Sequence, residues 1–394
     1  LATNIDEKEK IWTNSFILNF IVNFLVNLNM YLLIVIIAGY TQQQFNASES
    51  TAGLVAGLFI VGSLFGRFIM GKYVNSLGPK TVLIIGATLF TITSAFYFVE
   101  TSVGFLILVR ILNGFSFGVC TTSTGSIAGY ITPQSRKGEG ISLFSLSMVL
   151  GAAVGPFLGL LLLQDFSIEV IFGLNLILSA ISLIIALIMK VPFETVKLSK
   201  EEKGFHISQF VAKEAIPIAI VVFVSGLTYS SILNFMNSFA AQRDLVTASS
   251  YFFIVYAIIS IISRPICGRL MDNKNENYVI YPSIIFYIIC FVVLANSQSS
   301  WMLLLNGAIL GLGYGNLTST SQSVSVKVVP KEKIARATST FFIGLDLGLG
   351  FGPYLLGSFV HKVGISNMYL IMAAVLVVTF FVYYLIHGKN VRTA

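Results

Sequence analysis

Gly151-Ala152-Ala153-Val154-Gly155-Pro156 returns 197 residues later as Gly348-Leu349-Gly350-Phe351-Gly352-Pro353. The same offset carries Arg67 and Gly71 onto Arg264 and Gly268, and Asn75 onto Asp272. It carries Gly114 and Gly118 onto Gly311 and Gly315, and Pro133 onto Pro330. One ungapped register held over about ninety residues marks an internal duplication. Between the copies lies the longest polar stretch, residues 191–212, rich in Lys and Glu. The chain therefore divides into residues 1–190, a linker at 191–212, and residues 213–394. Within the linker, His206 to Phe210 reads as the start of a surface helix.

Each copy is too apolar for water. Of 394 residues, 56% are hydrophobic and only 10% charged, against about 25% charged in a soluble domain. Apolar runs repeatedly reach the roughly 20 residues that span a bilayer. They fall at 11–39, 51–74, 81–99, 103–129, 140–163, 168–190, 214–240, 249–271, 278–296, 300–326, 335–360 and 367–387. The expected fold is all-α and integral to the membrane, with twelve transmembrane helices in two pseudo-symmetric six-helix bundles. The first run, after Lys8 and Lys10, is too long for a secretory signal and lacks a small-residue cleavage site.

The net charge of +7 is topological. With both termini in the cytoplasm, the inner segments hold nineteen Lys and Arg and the outer loops only Arg243 and Lys362. That is the positive-inside bias, and it leaves nucleic acid without support as a partner. Cys120, Cys267 and Cys290 share no close spacing, and the histidines sit near helix ends or in loops, so neither a disulfide frame nor a metal site is expected. No phosphate-binding loop, zinc-protease motif or nucleophilic triad is present, and no polar segment is large enough for a nucleotide domain. A non-enzyme without a cofactor is expected, its partners a small molecule and the lipid bilayer.

Few charges enter the membrane. Asp346 lies about 16 Å into span 11 at 1.5 Å per residue, where a carboxylate costs roughly 2.5–3.5 kcal/mol. The offset places Val149 at its counterpart, so the fold does not itself require an acid there. A carboxyl at that depth could bind and release a proton; a permanently neutral or helix-capping acid is the alternative. Arg110, in span 4, could bias that carboxyl, bind an anionic substrate group, or simply satisfy backbone carbonyls. Asn19, Asn23 and Asn27 form one stripe at i, i+4 and i+8 on span 1. Asn113 and Phe117 on span 4, Asn234 and Asn237 on span 7, and Tyr314 on span 10 continue the pattern. Such stripes line a cavity or bond helices together. The Gly-xxx-Gly segments read as packing surfaces.

These residues resemble the major facilitator superfamily over nearly the whole chain. The run from Arg67 through Gly71 and Asn75 to Lys80 is similar to its signature between helices 2 and 3. Ser263 to Asp272, with Arg264 and Gly268, is similar to the second copy. Asn75 stands where the family carries Asp, so the acid survives only at Asp272. The resemblance implies that Arg67, Gly71, Asn75, Arg264, Gly268 and Asp272 form a cytoplasmic gate near the ends of spans 2 and 8, a latch between states and not a ligand contact. Glu139, beside Arg136 and Lys137, joins that cluster. It also implies that spans 1, 4, 7 and 10 line the central cavity. Arg110-Ile111-Leu112-Asn113-Gly114 resembles the helix-4 motif of proton-coupled members, and Gly151 to Gly159 resembles the helix-5 motif of exporters.

The function expected is proton-coupled efflux of a small organic molecule, drug or metabolite, by alternating access, with the proton as coupling ion and Asp346 and Arg110 as coupling residues. Two other transporter readings remain open. One is a dedicated exporter of an endogenous metabolite such as a metal-chelating compound, the other a metabolite importer. A membrane receptor that transports nothing is the reading from another class. The expected location is a bacterial plasma membrane, multi-pass, and a functional monomer fits the fold.

Overall fold

The computed structural model describes residues 9–34, 36–99, 101–193 and 210–391. Most of the linker therefore lies outside the described residues, as do His206 and the three residues after it. The side chains of Asn75 and Asn237 lie outside them too.

The described residues form helices and no strand. In chain order they are α1 (Asn14–Ile34), α2 (Ile37–Phe45), α3 (Glu49–Leu77), α4 (Pro79–Ala95), α5 (Val103–Ile131), α6 (Lys137–Asp165) and α7 (Ile168–Ile188). After the linker come α8 (Ile216–Ala241), α9 (Val246–Asn273), α10 (Asn277–Ala295), α11 (Ser300–Leu310), α12 (Asn316–Lys327), α13 (Ile334–Val363) and α14 (Ile365–Ile386). Eleven stretches are long and apolar enough to cross a membrane. The twelfth crossing is α11 and α12, joined through a π-helical segment at Gly311–Gly315. The first expected span, 11–39, is two helices: α1 ends at Ile34 and the short α2 follows.

Hydrogen-bonded backbone is compulsory in lipid, so helix is the only economical conformation for these runs. Small residues then decide how closely the helices approach. On α3 and α5, a Cβ at Gly62 or Gly66 would collide with the Ile111 or Phe115 carbonyl, and one at Gly114 or Gly118 with the Phe59 or Ser63 carbonyl. The second half repeats the device between α8 and α13. There, Gly344 meets Ala219 backbone, Gly348 meets Phe223 backbone, and Gly352 meets Ser230. Gly151 and Gly155 bring α6 against Asn27, Leu28 and Tyr31 of α1.

Helices α1 to α7 pack together, as do α8 to α14; the two groups meet along α3–α13, α6–α9, α6–α12 and α5–α13. The linker and both ends of the described chain share one face, the linker face. Facing sides of α3 and α13 touch at Ile60 and Gly350, 3.2 Å from a Cβ there. Three and seven residues further from the linker face, Gly57 and Gly53 on α3 have nothing within 4 Å, and neither has Gly357 on α13, seven residues past Gly350. The two helices thus meet toward the linker face and part toward the other.

Candidate substrate path and gate

Asp346 sits twelve residues into α13, about 18 Å from its start, and its carboxylate is claimed from the other half. Arg67 Nε on α3 donates to Oδ2 at 2.7 Å, Arg67 Nη2 reaches Oδ1 at 3.4 Å, and Ser63 Oγ donates to Oδ2 at 2.8 Å. Arg67 also donates to Thr121 Oγ1 on α5 at 2.8 Å, and its guanidinium lies over the Phe342 ring at 4.4 Å. The Asp346 side chain keeps 14% of its surface exposed while Arg67 keeps 3%. The result is a buried cation whose counter-charge remains reachable.

Arg67 lies deeper than the expected position near the end of its span. α3 runs on to Leu77, ten residues beyond, so Arg67 is about 15 Å inside. Its duplicate, Arg264 on α9, is likewise internal, and donates to Ser145 Oγ of α6 at 2.7 Å and to the Gly315 carbonyl at 3.0 Å.

Arg110 lies elsewhere. It donates to the carbonyls of Val55 (3.2 Å) and Ala56 (3.4 Å) and to Tyr97 Oη (3.2 Å), with the Phe59 ring 4.6 Å from the guanidinium. All of these partners belong to the first half, and the cation of Asp346 is Arg67. Asn113 is likewise spent inside that half, on Thr93 Oγ1 at 3.0 Å and Tyr97 Oη at 3.3 Å. Phe117 packs on Phe59, with ring centroids 5.2 Å apart.

Asn19 and Asn23 fasten helices in this conformation, and the stripe is buried and does not line an open cavity. Asn19 donates to the Thr124 carbonyl at 2.9 Å and Asn23 to Ser147 Oγ at 2.7 Å, while Thr124 Oγ1 donates back to Asn23 at 2.8 Å. Asn27 donates to the Asn23 carbonyl. Gly151 and Gly155 set the close approach of α6 to α1 beside Asn27, and all three asparagines are buried. Asn234, in contrast, is exposed. Tyr314 is buried and stacks on Tyr229 with centroids 4.0 Å apart.

Nearer the linker face, Asp272 and Gly268 meet Gly138 and Glu139 of the other half. The Asp272 carboxylate accepts from the Gly138 and Glu139 amides, at 2.7 and 2.8 Å. It thereby caps α6 across the two halves, where orphan N–H groups and the helix dipole favour an anion. Glu139 accepts from Arg136 at 2.7 Å and from Arg269, of the other half, at 2.7 Å. Gly268 sits where a Cβ would lie 2.6 Å from Glu139 Cα. On the other seam, Ser339 Oγ donates to the Arg67 carbonyl at 2.7 Å, and Gly71 leaves room for Ser339.

One buried residue at this face carried no expectation of this kind. Phe210 is not in a surface helix but in a turn, buried. It stacks on Phe68 with centroids 4.5 Å apart and lies under the Lys72 ammonium at 5.0 Å. An aromatic at the close of a polar linker was the available signal.

Comparison with known proteins gives the arrangement a lineage. The family description "Major Facilitator Superfamily" matches residues 20–297 and 279–393. A homologue of the multi-drug resistance efflux pump PmrA from Lactococcus lactis is 25% identical over 79% of this chain and 78% of its own. An uncharacterised transporter of the same type from Methanocaldococcus jannaschii is 24% identical over 91% of this chain and 94% of its own. Among solved structures, the human organic anion transporter MFSD10 superposes with a TM-score of 0.77 at 14% identity, over 93% of this chain and 98% of that one. FucP in its outward conformation gives 0.75 at 16% identity, over 95% and 99%. By sequence and fold, this chain is a membrane transporter of the major facilitator superfamily.

Proposed function

We propose that the protein exports a small organic molecule in exchange for protons, and that the Asp346–Arg67 pair is the proton-sensitive lock between its halves. The observation that carries this reading is a single ion pair, 2.7 Å long, joining α13 to α3 near mid-depth. With the linker face in the cytoplasm, as the basic residues favour, the closed side is cytoplasmic and Asp346 communicates with the outside. A proton arriving there neutralises the carboxylate and leaves Arg67 buried without its counter-charge. Breaking one partner of a buried pair costs about 3–5 kcal/mol, and this cost falls on the closed state. The cytoplasmic face then opens, substrate enters, and the proton leaves to the inside. Loss of the proton restores the pair and recloses the gate behind the cargo. The efflux direction also draws on the pump PmrA, whose homologue resembles this chain. A bacterial plasma membrane with both termini inside fits the same picture.

The test is transport in proteoliposomes carrying a pH-sensitive dye, with a panel of dyes, antibiotics and metabolites. Proton counter-flow triggered by one compound and lost in Asp346→Asn is the expected result. Transport against a gradient by that variant refutes the assignment.

A further inference from the structure

The duplication makes Arg264 the counterpart of Arg67, yet the two are served unequally. Arg67 has Asp346. The counterpart of Asp346 is Val149, an apolar side chain buried against the second half. Among the described residues no carboxylate pairs with Arg264, which is 1% exposed. Its two terminal nitrogens are taken by Ser145 and Gly315, and its Nε–H has no partner. A guanidinium is always charged, so an uncompensated one at this depth is costly to keep. Such a residue is retained where something else brings the negative charge.

The surroundings provide further donors. Gly315, whose carbonyl Arg264 holds, follows Tyr314 in the π-helical segment, and π turns recur at functional sites. Tyr314 and Tyr256 lie within electrostatic reach of Arg264. The hydroxyls of Tyr314 and its stacking partner Tyr229 make no hydrogen bond among the described residues, although both rings are buried. Ser145 belongs to the first half and Arg264 to the second. Opening the linker face pulls the two apart and frees a second N–H on the guanidinium. From the unpaired guanidinium beside unengaged phenols we infer that Arg264, with Tyr229 and Tyr314, is the binding subsite for an organic anion, a carboxylate or phenolate carried by the substrate. It is loaded when the linker face is open. This rests on the transporter reading above and names the substrate class at that same path.

Two xanthene dyes of similar shape and opposite charge separate the possibilities. 5-Carboxyfluorescein is anionic and rhodamine 6G cationic. Binding to the purified full chain is followed by fluorescence polarisation, in low salt, for the wild type, Arg264→Gln and Val149→Asp. The second variant leaves Arg264 in place and supplies the carboxylate that the duplication omits, so it tests the idea even where Arg264→Gln does not fold. The wild type is expected to bind carboxyfluorescein more tightly than rhodamine. Each folded variant is expected to lose at least tenfold in affinity for carboxyfluorescein and to keep its affinity for rhodamine. Preference for rhodamine, no binding of carboxyfluorescein, or an unchanged affinity in Val149→Asp overturns the inference. None of these outcomes touches the Asp346 experiment, which reads proton flow, so the two proposals fail separately.

Discussion

Replacing Asp346 with Asn changes charge and little else. The amide is isosteric, so Arg67 and Ser63 still face a side chain of the same shape. Its oxygen can take the position of Oδ2 and accept from Arg67 Nε and Ser63 Oγ, which lie at 2.7 and 2.8 Å. The amide nitrogen then points at Arg67 Nη2, where the carboxylate had an acceptor at 3.4 Å, and donor meets donor. The guanidinium, 3% exposed, is left with neutral partners. At about 3–5 kcal/mol for a broken buried pair and 1.4 kcal/mol per factor of ten, the balance between closed and open linker faces moves by roughly a hundredfold to a few thousandfold. The distance between spin labels at Gln134→Cys and Asn273→Cys reads that balance, because these exposed positions lie on opposite halves at the linker face. The three native cysteines are replaced first. In the wild type, the long distance should grow as pH falls. In Asp346→Asn it should dominate at every pH. A variant that stays closed throughout, or that opens with the pH dependence of the wild type, would falsify the lock.

Three further outcomes follow from the same geometry. Asp272→Ala strips the cap from α6, leaving the Gly138 and Glu139 amides without their acceptor; at about 1 kcal/mol for a lost cap, the open population should rise about fivefold in the same label experiment, far less than for Asp346→Asn, and an equal or larger shift would reverse the ranking of the two contacts. Phe210→Ala removes the ring stacked on Phe68 and, at up to about 3–5 kcal/mol for a buried Phe, should move the midpoint of opening to higher pH, because a weaker closed state needs less protonation to release; an unmoved midpoint would make the ring a bystander. Arg110→Gln loses charged hydrogen bonds to the Val55 and Ala56 carbonyls, each worth about 1.5–3 kcal/mol. It should lower the melting temperature in detergent without changing the pH dependence of opening in the folded fraction. Lost coupling at unchanged stability would return Arg110 to the proton path.

Much of the molecule was legible because lipid is a demanding solvent. Twelve runs of bilayer length, a constant offset and one-sided basic charge each follow from a physical requirement, and Asp346 announced itself as the acid that lipid should not tolerate. Its partner was not legible. The pair joins residues 279 positions apart, and which arginine it chooses depends on the rotation of α3 and the seat of one half against the other. Arg110 looked equally available by depth, but it is held inside the first half by the Val55 and Ala56 carbonyls and Tyr97. The asparagines at i, i+4 and i+8 are legible as a stripe, but sequence leaves the gap between α1 and its neighbours undetermined, and that gap decides between cavity and glue. The break in the tenth crossing was foreshadowed by Gly311, Gly313 and Gly315 in five residues.

The glycine seams have a consequence for timing. Where backbone rests on backbone, as between α3 and α5 or α8 and α13, a helix cannot slide without taking its neighbour along. In the proposed cycle Arg67 would therefore travel with the whole first half and Asp346 with the whole second. The ion pair, the cap on α6 and the Phe210 stack bridge the same two bodies, so they cannot be released one at a time along a graded path. A part-open gate would forfeit most of these contacts while admitting little substrate. The protein should spend almost no time in it, which in the proposed exchange leaves a proton few occasions to pass without cargo.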